Sequence, residues 1–218
     1  MSQNKIANSK AKNKRVGNLS AAVAALERGE VVVYPTETLY GLGADALNVA
    51  AVDKVFQLKG RDPCNPIPVL VADREMLGAL VEEIPALAEK LMARFWPGPL
   101  TLVLPARTDL PRPLLNSSGG IGVRISSAPA ATALVRELGR PLTATSANPS
   151  GQPPARTLAQ ARNYFAGEVA CFIDGGELTS KTGSTIVEIK ENAIRIIRAG
   201  EIGVSELKQI LGESEVVS

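Results

Sequence analysis

The chain has 218 residues, of which 45% are hydrophobic and 21% charged; its formal net charge is +2 and it contains no histidine. This profile suits one soluble globular domain, or two small and tightly packed ones, with a sizeable core. Without histidine the chain has no Ser-His-Asp or Cys-His nucleophile, no imidazole general base and no histidine-ligated metal site.

The net charge is unevenly distributed, because residues 1–18 contain five basic residues and no acidic one. The remainder, with 19 basic residues against 22 acidic ones, has a net charge of −3. Since the N-terminal segment is also poor in apolar residues, a disordered arm is predicted over 1–18. Such an arm is either a solvated tail or a contact for another polyanion or for RNA, double-stranded RNA included.

The sequence carries no signal for export or for membrane insertion. No apolar stretch follows the charged N-terminus, and no run approaches the roughly 18 apolar residues of a membrane span. The two cysteines, Cys64 and Cys171, suggest neither a disulfide framework nor a four-ligand zinc site. We therefore expect a cytoplasmic protein with no membrane contact.

Hydrophobic periodicity, caps and breakers predict alternating helices and strands from residue 19 onward. Asn18 and Gly29 bound the first helix, Asn48 and Gly60 the second. The predicted elements, in chain order, are a helix over 19–28, a strand over 31–34, a helix over 49–59, a strand over 67–71, helices over 74–82 and 86–95, strands over 100–104 and 121–125, a helix over 130–138, a strand over 142–145, a helix over 158–165, strands over 169–173, 185–189 and 194–197, and a helix over 205–211.

This order predicts an α/β fold with one mixed sheet. The strands near the C-terminus are too close together for helical crossovers, so part of the sheet is expected to be parallel and part antiparallel. No linker divides the chain, which predicts a single domain over 19–211 and a C-terminal tail over 212–218.

Loops at strand ends are the usual place for a ligand in an open α/β sheet, and two of them stand out here. In the loop predicted over 36–43, hydroxyls, a carboxylate and a phenol stand beside Gly41 and Gly43, which permit close approach of a ligand. An ordinary connection with Tyr40 and Leu42 packed inward fits equally well. The polar loop that begins Thr145-Ser146-Ala147-Asn148 suits phosphate and ribose contacts, or turns that satisfy their own backbone.

Cationic residues form a second group of candidates. Lys59 and Arg61 flank Gly60 at a helix end, where they can clamp a polyphosphate or a carboxylate, or merely favour the helix dipole. Arg124 lies in an apolar strand and is expected to face an acid or an anionic ligand, unless it lies on an open face of the sheet. Ser184 opens a strand and Arg198 ends one. The chain contains neither a Walker sequence nor a G-x-G-x-x-G turn.

Seven segments together resemble the YrdC/TsaC family of threonylcarbamoyl-AMP synthases, over roughly residues 19–203. The paired K-x-R and S-x-N signature, here Lys59, Arg61, Ser146 and Asn148, is specific as a set. The segments are PTETLYGLGADA (35–46), KGR (59–61), FWPGPLTLVL (95–104), GIGVRI (120–125), TSANPSG (145–151), GSTIVEI (183–189) and IIRAGEI (196–202).

The resemblance implies a single YrdC-like α/β domain with a twisted mixed sheet, flanked by helices, around a large cavity. It also implies that ATP, bicarbonate and L-threonine become threonylcarbamoyl-AMP and pyrophosphate, which a separate transferase complex uses to modify tRNA. Mg²⁺ would come mainly with the triphosphate. The implied roles are phosphate binding and catalysis for Lys59 and Arg61, nucleotide binding for Ser146, Asn148 and Arg198, and threonine binding for Thr36, Arg124 and Ser184.

Two positions depart from the family pattern. Many relatives have proline directly after the K-x-R arginine, whereas this chain has Asp62, a carboxylate that could pair with Arg61. Many also have a histidine where we align Leu70. The chain ends soon after Leu211, which resembles the short, single-domain form of the family.

A second hypothesis is a non-catalytic RNA- or nucleotide-binding module. It would use the same cavity together with the basic arm, and its affinity for RNA would fall steeply with salt.

Overall fold

The computed structural model describes residues 19–190 and 193–217. The helices are α1 (19–27), α2 (Val49–Lys59), α3 (Arg74–Gly78), α4 (Ala86–Phe95), α5 (Pro129–Leu138), α6 (Leu158–Phe165) and α7 (Val204–Leu211). The strands are β1 (Val32–Pro35), β2 (Tyr40–Gly43), β3 (Val69–Leu70), β4 (Leu100–Pro105), β5 (Gly120–Arg124), β6 (Leu142–Thr143), β7 (Thr145–Ser146), β8 (Cys171–Phe172), β9 (Thr185–Lys190), β10 (Ala193–Arg198) and β11 (Val216–Val217). The mixed α/β class is confirmed.

The strands form two sheets, so the expectation of one sheet is wrong. A four-stranded sheet has the order β7-β2-β1-β8, and a seven-stranded sheet has the order β11-β10-β9-β4-β5-β3-β6. In the larger sheet parallel and antiparallel pairs alternate from one edge to the other, rather than separating into two regions. Strand partners far apart in sequence decide this arrangement, and local patterns do not specify them.

Strand β1 is buried on both faces and belongs to two hydrophobic clusters. Val33 packs in the main core with β2, α2 and α4, whereas Val32 and Tyr34 pack in a second cluster with α1 and α5. Successive side chains of a strand point to opposite faces, so a continuous apolar run suits a strand that is covered on both sides. The run of valines therefore predicts this strand well.

The loop predicted over 36–43 is wrong in its second half, because Tyr40–Gly43 forms strand β2. This strand pairs with β1 in an antiparallel hairpin in which Tyr34 lies opposite Gly41. A Cβ atom at Gly41 would lie 3.0 Å from the Tyr34 ring, and one at Gly43 would lie 2.9 Å from it. The glycines therefore make room for a buried aromatic ring on the neighbouring strand.

The chain passes from one sheet to the other at Ala144. Strand β6 ends at Thr143 in the larger sheet, and β7 begins at Thr145 in the smaller one. Thr143 fastens this crossing, since its hydroxyl accepts a hydrogen bond from the Ala44 N–H at 2.9 Å and its carbonyl accepts one from the Tyr34 hydroxyl at 2.9 Å. The strand predicted over 142–145 is thus two short strands that bring the sheets together.

Helix ends follow the sequence signals closely. The Asn48 side chain caps α2 by accepting a hydrogen bond from the Ala51 N–H, and Gly60 ends the helix in the left-handed conformation at φ 55°. This ending turns the chain sharply after Lys59 and directs Arg61 away from the helix axis. Asn18 and the basic arm over 1–18 lie outside the described residues.

The segment predicted as a C-terminal tail adds to the larger sheet. A 3-10 turn at Glu213–Glu215 leads into β11, which pairs in parallel with β10 at Ile194 and Arg195. Across residues 19–190 and 193–217, no helix combines the length and apolarity that crossing a membrane requires.

Candidate functional site

A cavity of about 740 Å³ lies where the two sheets meet. Its wall contains residues of the β1–β2 hairpin, the face of β4, β5, β9 and β10, and the crossing at Ala144. Six of the eight residues predicted for the site line this cavity: Thr36, Arg61, Arg124, Ser146, Ser184 and Arg198. The remaining two, Lys59 and Asn148, are buried, with 3% and 7% exposure. Lys59 donates a hydrogen bond to the Ser146 carbonyl, and the Asn148 side chain donates to the Pro149 and Gln152 carbonyls.

The turn of the β1–β2 hairpin presents two threonines to the cavity. The Thr36 hydroxyl donates to the Leu39 carbonyl at 2.7 Å and accepts from the N–H groups of Thr38 and Leu39 at 3.2 Å. Thr36 therefore shapes the turn as well as lining the cavity. Of the two interpretations of the segment, the inward packing of Tyr40 and Leu42 is confirmed, since both are fully buried. Contact between Thr36 and a ligand stays a prediction.

Arg61 binds neutral backbone groups beside the cavity. Its Nε donates to the Asn65 carbonyl at 2.8 Å and its Nη2 to the Pro66 carbonyl at 3.2 Å. Asp62 does not pair with it among the described ion pairs; the Asp62 carboxylate instead accepts a hydrogen bond from the Cys64 N–H at 2.8 Å. The departure from the family pattern thus leaves the Arg61 guanidinium without a counterion.

Arg198 is held in a similar way on the opposite wall. Its Nη2 donates to the Ser184 carbonyl at 2.6 Å and to the Ser184 hydroxyl at 3.0 Å. The Ser184 hydroxyl also lies 3.0 Å from the Thr101 hydroxyl. Two buried hydroxyls and a guanidinium therefore meet at one end of β9, where Ser184 and Arg198, predicted to bind different ligands, are in direct contact.

Arg124 differs, because its partner is a carboxylate. Its Nη1 pairs with Glu37 Oε1, and Glu37 Oε2 accepts a hydrogen bond from the Ser126 hydroxyl. The side chains of Arg124 and Glu37 are only 6% and 16% exposed. The structure confirms that Arg124 faces an acid and excludes an open face of the sheet, and Arg124 also lines the cavity, so contact with an anionic ligand stays a prediction.

Lys59 lies behind the cavity wall and fixes the backbone of the segment 146–148 by hydrogen bonds. Its Nζ donates to the Ser146 carbonyl at 2.5 Å and to the Asn148 carbonyl at 2.7 Å. Burial, together with the smaller effect of the positive charge of Arg61, lowers the pKa of Lys59 to about 8. The two halves of the K-x-R and S-x-N signature are therefore physically joined.

Asn148 has an unusual hydrogen-bond environment. Its Nδ2 donates to the carbonyls of Pro149 and Gln152 at 2.9 and 2.8 Å. Its buried Oδ1 has no hydrogen-bond partner in the protein. A buried acceptor without a partner is costly, and such costs are concentrated at functional sites.

The guanidiniums influence one another across the cavity. Burial lowers the pKa of Arg198, and the positive charges of Arg124 and Arg61 lower it further. Burial also lowers the pKa of Arg61. The lining cations, which also include Lys190 and Arg195, outnumber the neighbouring carboxylates of Glu37 and Glu188, so the net positive field suits a polyanionic ligand.

Comparison with known proteins identifies this architecture. A family model named Sua5/YciO/YrdC, with the description "Telomere recombination", matches residues 24–200. The chain belongs to this family. It is 38% identical over 195 residues to the threonylcarbamoyl-AMP synthase of Pyrococcus abyssi, and 40% identical over 177 residues to that of Thiobacillus denitrificans.

Coverage differs between these relatives. The match spans 89% of this chain but only 57% of the P. abyssi relative, whereas it spans 81% of this chain and 92% of the T. denitrificans relative. A crystal structure of P. abyssi Sua5 complexed with L-threonine superimposes with a TM-score of 0.87 at 38% identity, covering 91% of this chain and 58% of that one. This Sua5/YciO/YrdC chain therefore has the same fold as a protein that binds L-threonine.

Leu70 does not reach the cavity in this Sua5/YciO/YrdC domain. It is 1% exposed and packs in the second hydrophobic cluster, whereas Pro68 from the same stretch lines the cavity.

Glu37 is the carboxylate of the loop predicted over 36–43, and no role was predicted for it. A second omitted group lies at the far end of the cavity, where the buried carboxylate of Glu188 accepts hydrogen bonds from Arg195, Asn116 and Ser118 at 2.7, 3.1 and 3.2 Å. Glu188 is part of the GSTIVEI segment. Residues two apart on a strand share a face, so Glu188 lies on the same face as Ile186, which lines the cavity, and this spacing could have indicated it.

The donor set of the cavity suits anions better than a bare metal ion. Its described lining residues include arginines, hydroxyls and amides but no carboxylate. Among the described residues, no group of three or more His, Cys, Asp or Glu side chains could hold a metal. A divalent cation that enters this cavity would therefore fit as part of a nucleotide complex, with ligands from phosphate oxygens.

Proposed function

We propose that the chain is an L-threonylcarbamoyladenylate synthase, an enzyme that converts ATP, bicarbonate and L-threonine into threonylcarbamoyl-AMP and pyrophosphate. The observation that carries this proposal is the cavity at the sheet junction, in which Arg61, Arg124 and Arg198 converge with buried hydroxyls. Its support from relatives is the identity of 40% to a synthase that the match spans over 92% of its length.

The reaction needs no nucleophile from the protein. The amine of L-threonine attacks bicarbonate to form a carbamate, and water leaves. A carbamate oxygen then attacks the α-phosphorus of ATP, and the bond to the bridging oxygen breaks to release pyrophosphate. Catalysis then consists of positioning the reactants and neutralising charge, which suits a chain without histidine.

Arg61 and Arg198 are the phosphate-binding groups in this proposal. Both guanidiniums have only neutral partners, carbonyls or a hydroxyl, so their charges are available to a triphosphate. Lys59 adds positive charge from behind, and it fixes Ser146 and Asn148 for contact with the nucleotide. Mg²⁺ enters with ATP as part of the substrate, since phosphate oxygens are its natural ligands here.

Thr36, Arg124 and Ser184 are the threonine-binding groups. The two hydroxyls lie on opposite sheets, and the guanidinium of Arg124 suits the amino-acid carboxylate. We further propose that the product goes to a threonylcarbamoyl transferase complex acting on tRNA, in the cytoplasm. RNA contact through the basic residues of 1–18 stays a prediction.

Release of pyrophosphate from ATP tests this assignment. With the wild-type protein, release should require both L-threonine and bicarbonate. Lys59→Ala and Arg61→Ala should each lower the rate by about 100-fold or more, because the first releases the backbone of Ser146 and Asn148 and the second removes a cation that lines the cavity.

A matched control is Arg28→Ala, which removes an exposed arginine paired with Glu30 at the surface. This variant should retain the wild-type rate. Release that proceeds without threonine, or at full rate in both cavity variants, would contradict the proposal.

A further inference from the structure

Glu37 links the two sheets at the cavity wall. It lies in the β1–β2 turn of the smaller sheet, and its two carboxylate oxygens contact Arg124 and Ser126, which end and follow β5 of the larger sheet. Glu37 does not itself line the cavity, whereas its neighbours Thr36 and Thr38 do. Its carboxylate therefore acts on a ligand through Arg124 rather than by contact.

Three of the guanidiniums that line the cavity, those of Arg61, Arg124 and Arg198, differ in their counterion. Arg61 binds two backbone carbonyls, and Arg198 binds the carbonyl and hydroxyl of Ser184. Only Arg124, of these three, forms an ion pair among the described residues, and its partner is Glu37. Two further lining cations, Lys190 and Arg195, share the carboxylate of Glu188. Among the described residues, Arg61 and Arg198 are therefore the lining cations without a carboxylate partner.

The counterion of each guanidinium affects which ligand it attracts. A triphosphate or pyrophosphate carries several negative charges and is drawn to uncompensated cations. A guanidinium already paired with a carboxylate attracts such a ligand less, but it keeps other N–H donors for a second, singly charged carboxylate. Arg124 then favours a carboxylate over a polyphosphate for two reasons: it attracts the polyphosphate less, and it still has N–H donors for the carboxylate.

We propose that Glu37 is a specificity-determining counterion: by neutralising Arg124 it keeps polyphosphate at Arg61 and Arg198 and reserves Arg124 for the carboxylate of the amino-acid substrate. This inference rests on the proposed function. Glu37 is a positioning residue, since it acts through Arg124. Without its negative charge, Arg124 becomes a third free cation, and polyphosphate competes for the amino-acid subsite.

Calorimetric titration tests this without requiring turnover. The affinity for L-threonine is measured with and without inorganic pyrophosphate, for the wild-type protein and for Glu37→Gln, which keeps the shape of the side chain but removes its charge. Saturating pyrophosphate should change the wild-type affinity by less than about twofold. In Glu37→Gln it should weaken threonine binding by about tenfold or more, in a competitive manner.

A double variant separates charge from structure. Glu37→Gln with Arg124→Gln replaces a neutral pair by another neutral pair, so it avoids a buried unpaired charge that can prevent folding. It should bind pyrophosphate as tightly as the wild-type protein while losing threonine affinity. Weakened pyrophosphate binding here would show that Arg124 holds phosphate in the wild-type protein, which would overturn the inference.

The surface variant Glu89→Gln, which breaks an exposed pair with Arg74, serves as the control for a lost carboxylate. Failure of the inference is distinguishable from failure of the proposed function. If the wild-type protein binds threonine and releases pyrophosphate, but pyrophosphate affects threonine binding equally in Glu37→Gln and wild type, only the inference is wrong. If the wild-type protein binds no threonine, the proposed function is wrong as well.

Discussion

At the residue scale, the sequence predicts which side chains converge but not which groups they bind. The K-x-R and S-x-N motifs predict one site, and Lys59 does reach the backbone of Ser146 and Asn148. That Lys59 contacts carbonyls rather than the open cavity depends on the packing of α2 under the segment 146–148. For Arg124, chemistry predicts an acid or an anion; its neighbour, Glu37, is fixed only by the tertiary fold.

The buried ammonium of Lys59 makes stability depend on pH. Burial lowers its pKa in the folded state from 10.5 to about 8, so between these values the unfolded chain binds more protons than the folded one. The free energy of unfolding should therefore rise with pH across this window. Below it Lys59 is charged in both states and the cost of burial is fully present; above it that cost is gone.

Comparison with Lys59→Met isolates this effect, because methionine has a similar length and no charge. When chemical denaturation is measured from pH 7 to 11, the free energy of unfolding of the wild type should rise relative to that of the variant by on the order of 3 kcal/mol. Parallel stability curves for the two proteins would mean that Lys59 has an ordinary pKa in the folded state.

At the element scale, long periodic segments were predicted well and short strands poorly. Helices α4 and α6 have the predicted bounds, since their apolar spacing and breakers are local signals. Strands such as β3 and β8 contain only two residues, too few for periodicity to show their bounds. Strand β2 was missed because its two glycines are typical of a loop, and only the Tyr34 ring opposite explains them.

The glycine at position 41 is required for space rather than for backbone conformation. Gly41→Ala would place a Cβ 3.0–3.1 Å from two ring atoms of Tyr34 and 3.2 Å from its hydroxyl oxygen, and this side chain is fully buried. Overpacking of this kind costs about 1–3 kcal/mol. Thermal or chemical unfolding should show that the free energy of unfolding falls by an amount of that order.

Gly78→Ala is the matched control for this substitution. Gly78 ends α3, and a Cβ there would have no atom within 4 Å. Alanine favours helix by up to about 1 kcal/mol over glycine, so this variant should be as stable as wild type or more so. Equal destabilisation by the two variants would contradict the role given to Tyr34.

At the scale of the whole molecule, the cavity exists because the chain changes sheets at Ala144. The sequence predicts the α/β class, while the division into two sheets depends on pairings such as β2 with β7, which join residues about a hundred positions apart. The overall charge of +2 says little about the site. The charges that matter are Arg61, Arg124 and Arg198, together with the counterion Glu37.

Mass-spectrometric detection of the reaction product is the decisive test of the proposed synthase activity. Purified protein is incubated with Mg²⁺, ATP, L-threonine and ¹³C-labelled bicarbonate, and the mixture is analysed before the labile adduct decays. We expect threonylcarbamoyl-AMP that carries the heavy carbon. This product should disappear when threonine or bicarbonate is omitted, and it should be nearly absent with Arg61→Ala. AMP or ADP formation without a carbon-labelled adduct would contradict the proposed synthase activity.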